Sequence, residues 1–186
     1  MTACRGLLTA ACLLWLACAH TAPRRWLTPN NLPIARMNRI GVLAAPPLGA
    51  NGQVAMVPML KAMASSLSET GGFRVPTYRD VLIARQSAQV NLRYAGNGPD
   101  MDRAQVDSLA SLLKVDALCI VWIVSSGASG GERVTVRLYS GSDGRELGSF
   151  ATARGGLSSD GTGWYDMEDN CSSMAEEAVK ALLKQM

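Results

Sequence analysis

The chain has 186 residues, of which 48% are hydrophobic, and 18 basic against 15 acidic residues give a formal net charge of +3. This length and apolar fraction predict one domain with a real core. The basic residues are scattered, which argues against a face that binds nucleic acid.

The first eighteen residues have the layout of a bacterial secretory signal peptide that ends in a cysteine. Arg5 supplies one early positive charge, an apolar run extends from Gly6 to Leu16, and small Ala17 precedes Cys18. The apolar run is well short of the roughly 20 residues that a membrane-spanning helix needs. The leader therefore predicts export across a membrane.

Two cleavage sites fit this leader, and the first is that of a bacterial lipoprotein. Leu16-Ala17-Cys18 resembles the end of a lipobox, so that residues 1–17 form the signal peptide and Cys18 carries the lipid. Trp15 departs from the motif, because Leu usually stands there. Ala19 is not the Asp that retains many lipoproteins at the inner membrane, and the lipoprotein interpretation therefore favours the periplasmic face of the outer membrane.

The second cleavage site is that of an ordinary secreted protein. Ala17-Cys18-Ala19 has the small-x-small pattern, and cleavage after it starts the mature chain at His20. The protein would then be secreted to the periplasm without lipid. The sequence leaves both interpretations open.

Residues 18–38 combine the candidate lipidated cysteine with an extended tether. Pro23, Pro29 and Pro33 are spaced so that no stable helix forms between them. In the extended limit of about 3.1 Å per residue, the tether reaches on the order of 60 Å. Trp26 either touches the lipid surface or docks on the domain, and the sequence does not decide between the two.

The first half of the domain predicts alternating short strands and helices. A strand over 39–45 is stopped by two prolines, and an apolar stripe of Val57, Leu60, Ala64 and Leu67 marks a helix that Gly71-Gly72 ends. A brief strand at 73–75, a short helix over 78–90 and a polar loop over 91–99 follow.

The second half contains the clearest strands of the chain. Asp102 caps a helix, and residues 117–124 form an unbroken apolar run that is typical of a central strand. Residues 133–139 alternate, and Asp143-Gly144 predicts a hairpin into a return strand. Ser173 and Glu176 have the spacing of a capping box and predict the start of the last helix there.

These elements predict one α+β periplasmic domain over residues 39–186. Its mixed sheet has about five strands and is packed by three to four helices, because strand and helix patterns alternate irregularly along the chain.

Two cysteines remain in the domain, Cys119 and Cys171. An oxidising periplasm favours a disulfide between them, but Cys119 lies in an apolar strand, where a buried cysteine acts as a small hydrophobic residue. A disulfide and two buried thiols both remain open. His20 is the only histidine, so a zinc centre has too few ligands, and we expect no metal.

No catalytic motif is present, and we expect neither enzymatic activity nor a cofactor. The folded region has no histidine to serve as the base of a triad, and its glycine-rich runs lack the pattern of a phosphate loop.

Three groups of residues are candidates for binding a partner. Trp164 and Tyr165 are aromatic residues in a predicted polar loop, and Tyr94 lies in an earlier loop. The third group is the polar face of the strand over 133–139. For the first pair the competing interpretation is packing beneath the last helix, and for the third it is a solvated sheet face.

The order of elements resembles a family of small periplasmic domains. RIGVLAAPP, GGFRV, LLKVDALCIVWIV and VTVRLYSGSDGREL follow a leader that ends in Cys18. This is similar to the domain shared by penicillin-binding-protein activator lipoproteins, the curli-secretion channel lipoprotein CsgG and the N-terminal part of TolB. The chain lacks the long amphipathic hairpins of the curli channel and the long linker of the activators.

The resemblance and the leader together predict a bacterial cell-envelope lipoprotein that acts as a protein–protein interaction or assembly module, in cell-wall synthesis or secretion machinery. Its partners would be an envelope protein and, through the lipid anchor, a membrane, and self-association into a homo-oligomer remains open. The alternative is a soluble periplasmic enzyme or small-ligand-binding protein.

Overall fold

The computed structural model describes residues 36–45, 52–95, 98–125, 132–154 and 163–184. The leader, Cys18 and all but the end of the tether lie outside the described residues. Strands and helices are, in chain order, β1 (Ile40–Ala44), α1 (Gly52–Glu69), α2 (Tyr78–Ser87), β2 (Arg93–Ala95), β3 (Gly98–Asp100), α3 (Arg103–Leu113), β4 (Ala117–Ser125), β5 (Glu132–Ser140), β6 (Glu146–Arg154) and α4 (Gly163–Leu183).

The main sheet is a mixed sheet of four strands in the order β1-β4-β5-β6. β1 runs parallel to β4, and β4, β5 and β6 pair in antiparallel fashion. Residues 117–123 of β4 are all buried, as their unbroken apolar run predicts for a central strand. The architecture is α+β, as the sequence predicts.

Helices pack on both faces of this sheet. On the first face, α1 and α4 pack against β1, β4, β5 and β6, and the alternating Val134, Val136 and Leu138 of β5 point into this core. On the second face, α2 and α3 cover β1 and β4. In the described part of the chain, β5 and β6 contribute a single residue, Tyr139, to the second core.

Two predicted elements differ from the structure in the segment between α1 and α3. The strand expected at 73–75 is reduced to one bridge between Arg39 and Arg74, since Pro76 removes the donor that a longer ladder needs. The expected loop over 91–99 contains the small β2–β3 hairpin, in which Tyr94 pairs with Pro99. The main sheet consequently has four strands instead of about five.

The last helix begins at Gly163, well before the predicted start at Ser173. The capping-box interpretation of Ser173 and Glu176 is therefore wrong. Burial of Cys171 in the core extends the apolar face of the helix beyond Ser173 in the N-terminal direction. Glu176 and Lys180, four residues apart on this helix, form an ion pair at 3.7 Å. Within the described ranges, no helix is long and apolar enough to cross a membrane.

Asp116 fixes the position of the backbone just before β1. Its carboxylate accepts hydrogen bonds from the backbone N–H groups of Asn38, at 2.7 Å, and Arg39, at 2.9 Å. The backbone N–H of Asp116 donates in turn to the carbonyl of Arg39 at 2.8 Å. These bonds set the register in which β1 enters the sheet beside β4.

Candidate functional site

Among the residues that the structure describes, those that the sequence predicts to be functional do not come together in one site. Cys18 is outside the described residues. Trp164 and Tyr165 occupy the first turn of α4 and not a polar loop, and Tyr94 lies in β2. The loop assignments of these three aromatic residues are therefore wrong, and the structure describes only their backbone.

Cys119 and Cys171 belong to the same core. Cys119 lies on β4 and Cys171 on α4, and both are fully buried. Burial raises the pKa of the Cys119 thiol to about 12, so this sulfur is protonated at neutral pH and is not a nucleophile. A disulfide between the two remains a prediction.

Arg137 is the centre of a polar cluster on the second face of the sheet. Its guanidinium lies 5.5 Å from the centroid of the Trp122 ring, 3.7 Å from the carboxylate of Asp100 and 3.8 Å from that of Glu146. The hydroxyl of Tyr139 donates to Asp100 at 3.4 Å. We call these five residues the Arg137 cluster.

Burial and charge act in opposite directions in the Arg137 cluster. Burial acts to lower the pKa of Arg137, but its hydrogen bond with Tyr139 and the charges of Glu146 and Asp100 raise that pKa on balance. Burial raises the pKa of Glu146, and Arg137 opposes this shift. The cluster ties the β2–β3 hairpin to the main sheet, because Asp100 ends β3 and Arg137 lies on β5.

A cleft of about 290 Å³ lies beside β1, between α1 and the segment that leads into α2. We call it the α1–α2 cleft. Its lining is formed by Val42, Val57, Leu60, Lys61, Ala64, Ser65, Ser68, Val75, Pro76, Thr77 and Tyr78.

Two large apolar side chains in the lining are open to solvent. Val57 is 38% exposed and Tyr78 is 45% exposed, whereas Leu60 beside them is buried. The sequence placed Val57 on the buried stripe of α1. In the structure Leu60 and Leu67 of that stripe are buried together with Met59 and Met63, so the core-facing side of the helix points away from Val57.

A capping box fixes the position of Tyr78. The Thr77 hydroxyl accepts from the backbone N–H of Asp80 at 3.2 Å, and the Asp80 carboxylate accepts from the backbone N–H of Thr77 at 3.2 Å and from its hydroxyl at 2.6 Å. The pKa of Asp80 is lowered chiefly by these bonds from Thr77 and also by the nearby charges of Arg39 and Arg79. Tyr78 therefore begins α2 at a defined place on the wall of the cleft.

The sequence contains a local signal for part of this arrangement. Thr77 followed three residues later by Asp80 has the spacing of a helix start, which places Tyr78 in a first turn. Nothing local shows that Val42 and Val57 come to the same cleft, because they belong to elements that only the tertiary fold brings together.

Metal binding has no support in the described part of the chain. No group of three or more His, Cys, Asp or Glu residues there is arranged to hold an ion.

No protein-family model matches the sequence, and no curated protein matches it either. Among solved structures, the chain is similar to a PelC dodecamer from Paraburkholderia phytofirmans, with 15% identity, a TM-score of 0.50, and coverage of 86% of this chain and 96% of that one. At this identity the likeness shows a shared fold.

Two further solved structures are similar to a smaller part of the chain. The LpoB C-terminal domain from Salmonella enterica has 11% identity, a TM-score of 0.43, and coverage of 64% of this chain and 84% of that one. The lipoprotein GNA1162 from Neisseria meningitidis has 22% identity, a TM-score of 0.41, and coverage of 73% of this chain and 96% of that one.

Proposed function

We propose that this chain is a bacterial cell-envelope lipoprotein, anchored through Cys18, whose domain over residues 39–186 acts as a protein–protein interaction or assembly module. The anchor is inferred from the leader that ends at Cys18. The lipid would place the protein on the periplasmic face of the outer membrane, where cell-wall synthesis and secretion machinery operate.

The observation that carries the interaction function is the α1–α2 cleft. A soluble domain gains free energy by covering apolar side chains, at about 25 cal/mol for each Å² removed from water. Val57 and Tyr78 instead remain partly open and share one cleft. Clustered exposed apolar residues of this kind are typical of surfaces that bind another protein.

The fold supports an assembly role in the same way. PelC, which shares the fold, was solved as a dodecamer. The proposed assembly function therefore includes self-association of this chain as well as binding to a different envelope protein.

Labelling with radioactive palmitate in bacterial cells tests the anchor. We expect label on the wild-type protein and on Cys12→Ser, since Cys12 leaves with the leader, and no label on Cys18→Ser. Unlabelled wild-type protein, together with a mature N-terminus at His20, would overturn the lipid anchor and favour ordinary secretion.

A further inference from the structure

We propose that the α1–α2 cleft binds a segment of a partner protein that carries one or two large apolar side chains next to a carboxylate, and that Lys61 pairs with this carboxylate. The inference rests on the proposed interaction function and adds the chemistry of the partner. It follows from the lining of the cleft, the charges around it and the composition of the tether.

The lining and size of the cleft fit apolar side chains from a protein. Val42 and Leu60 lie at its buried side, and Val57, Pro76 and Tyr78 contribute walls. The volume of about 290 Å³ lies just below the range for small-molecule pockets, which is about 300–1,000 Å³. An aromatic wall such as Tyr78 also buries much area at a low cost in side-chain entropy.

The charge at the cleft is positive. Lys61 is the one charged residue among the described residues that line it. Arg39 and Arg79 lie close enough to lower the pKa of Asp80, the carboxylate that caps α2. Among the residues that the structure describes, Lys61, Arg39 and Arg79 form no ion pair.

An acidic partner therefore complements this surface. The Asp80 carboxylate offsets the nearby charges of Arg39 and Arg79, so the charge of the described lining itself is that of Lys61. A carboxylate that arrives beside an apolar anchor would be partly desolvated, and charge-assisted hydrogen bonds are stronger than neutral ones in that setting. Complementary charge would also speed association and reject basic segments.

The composition of the tether argues against the chain's own N-terminal segment as the occupant. Residues 18–38 contain Arg24, Arg25 and Arg36 and no acidic residue. Trp26 could supply an apolar anchor, but the adjacent arginines would approach Lys61 with like charge. A different protein with an acidic and apolar segment fits the cleft better.

Selection from a displayed library of random peptides against the full-length protein tests the proposal. We expect enrichment of peptides with a large apolar residue flanked by Asp or Glu. The variant Val57→Asp replaces part of the apolar wall with a carboxylate, and Lys61→Glu reverses the charge and leaves the apolar wall intact. Leu112→Asp is the matched control, because Leu112 is 52% exposed on α3 and does not line the cleft.

Synthesised peptides from the wild-type selection are then measured by fluorescence anisotropy. We expect Leu112→Asp to bind like wild type, Val57→Asp to lose binding, and Lys61→Glu to weaken acidic peptides by roughly 2- to 5-fold, the range for an exposed ion pair. Raising the salt concentration should also weaken binding to wild type. Thermal melting of each variant shows whether it is folded.

Several results would overturn the proposal. Equal peptide enrichment by wild type and Val57→Asp would contradict the role of the apolar wall, and equal peptide affinities of wild type and Lys61→Glu would contradict the role of the charge. Self-association of the wild-type protein that Val57→Asp abolishes would assign the cleft to a second copy of the chain. Increased exposure of Trp26 on adding Val57→Asp would assign the cleft to the tether. Failure of palmitate labelling would contradict the anchor alone, because peptide binding does not depend on it.

Discussion

Arg137 is the residue at which two separate parts of the fold meet. It lies on β5, contacts Trp122 of β4 and Glu146 of β6, and reaches Asp100 at the end of β3. The alternating pattern of the strand predicts that Arg137 lies on the polar side of β5. The pattern cannot reveal that Asp100 supplies one of its counter-charges, because Asp100 comes from a distant point of the chain, whereas Glu146 lies on the adjacent strand of the predicted hairpin.

Removing the charge of Arg137 should loosen the β2–β3 hairpin. Arg137→Met keeps an aliphatic chain over Trp122 but leaves Asp100 and Glu146 without their shared cation. We expect a loss of about 1–3 kcal/mol in the free energy of unfolding, the range for a partly buried charged hydrogen-bonding group. Faster amide hydrogen exchange over residues 93–100 is the second readout.

Arg133→Met is the control for this substitution. Arg133 lies on the same face of β5 but is exposed, so its loss should change the free energy of unfolding by less than about 0.5 kcal/mol. Equal effects at positions 133 and 137 would contradict the role assigned to the Arg137 cluster.

The buried thiol of Cys119 makes stability depend on pH in the alkaline range. Burial raises its pKa from 9.0 to about 12. Below pH 9 the thiol is protonated in both the folded and the unfolded state. Between pH 9 and about 12 the unfolded chain loses this proton and the folded chain keeps it, so stability falls as the pH rises.

Urea unfolding of wild type and Cys119→Ala, at neutral pH and above pH 9, measures this effect. We expect the stability advantage of wild type to shrink above pH 9 by at most about 1.4 kcal/mol per pH unit. An advantage that stays constant with pH would mean that Cys119 has no titrating thiol, as in a disulfide with Cys171.

At the scale of elements, strong local patterns predicted the structure well and weak ones did not. The unbroken apolar run identifies β4, because a strand buried on both faces is apolar throughout. The alternation identifies β5, because a strand buried on one face alternates between apolar and polar residues. The β2–β3 hairpin has strands of three residues that include Gly98 and Pro99, so it lacks any periodic pattern. Ser173 matched a capping signature, but packing against the sheet carries the helix through it.

The turn between β5 and β6 is packed tightly against the start of α3. Gly144 has a φ of 65°, and a Cβ atom placed on it would lie 2.4 Å from the carbonyl oxygen of Arg103. Gly144→Ala therefore meets both a strained backbone and a steric clash. We expect it to lower the free energy of unfolding by about 2–4 kcal/mol, measured by urea unfolding.

Gly72→Ala separates the two causes. Gly72 has a similar φ of 68°, but no atom lies within 4 Å of the added Cβ. Its cost should be limited to the backbone strain, about 1–2 kcal/mol. If the two substitutions lower the free energy of unfolding equally, the close approach of the β5–β6 turn to α3 makes no additional contribution to the effect of Gly144→Ala.

At the scale of the whole molecule, the sequence and the structure contribute different parts of the functional account. The leader and Cys18 are recognisable in the sequence because export signals are local. The α1–α2 cleft is not, because it combines Val42, Val57 and Tyr78 from three elements. Together they support the proposal of a binding surface on a domain that a lipid and a tether would hold at a membrane.

Site-specific photocrosslinking in living cells tests this account most directly. A photoreactive residue replaces Tyr78 in the cleft or, as the control, Leu112 on α3, in chains with and without Cys18→Ser. We predict a discrete crosslinked product from position 78, none from position 112, and a clear decrease when Cys18 is replaced. The same products from both positions, or no product from position 78 in the anchored protein, would contradict the account.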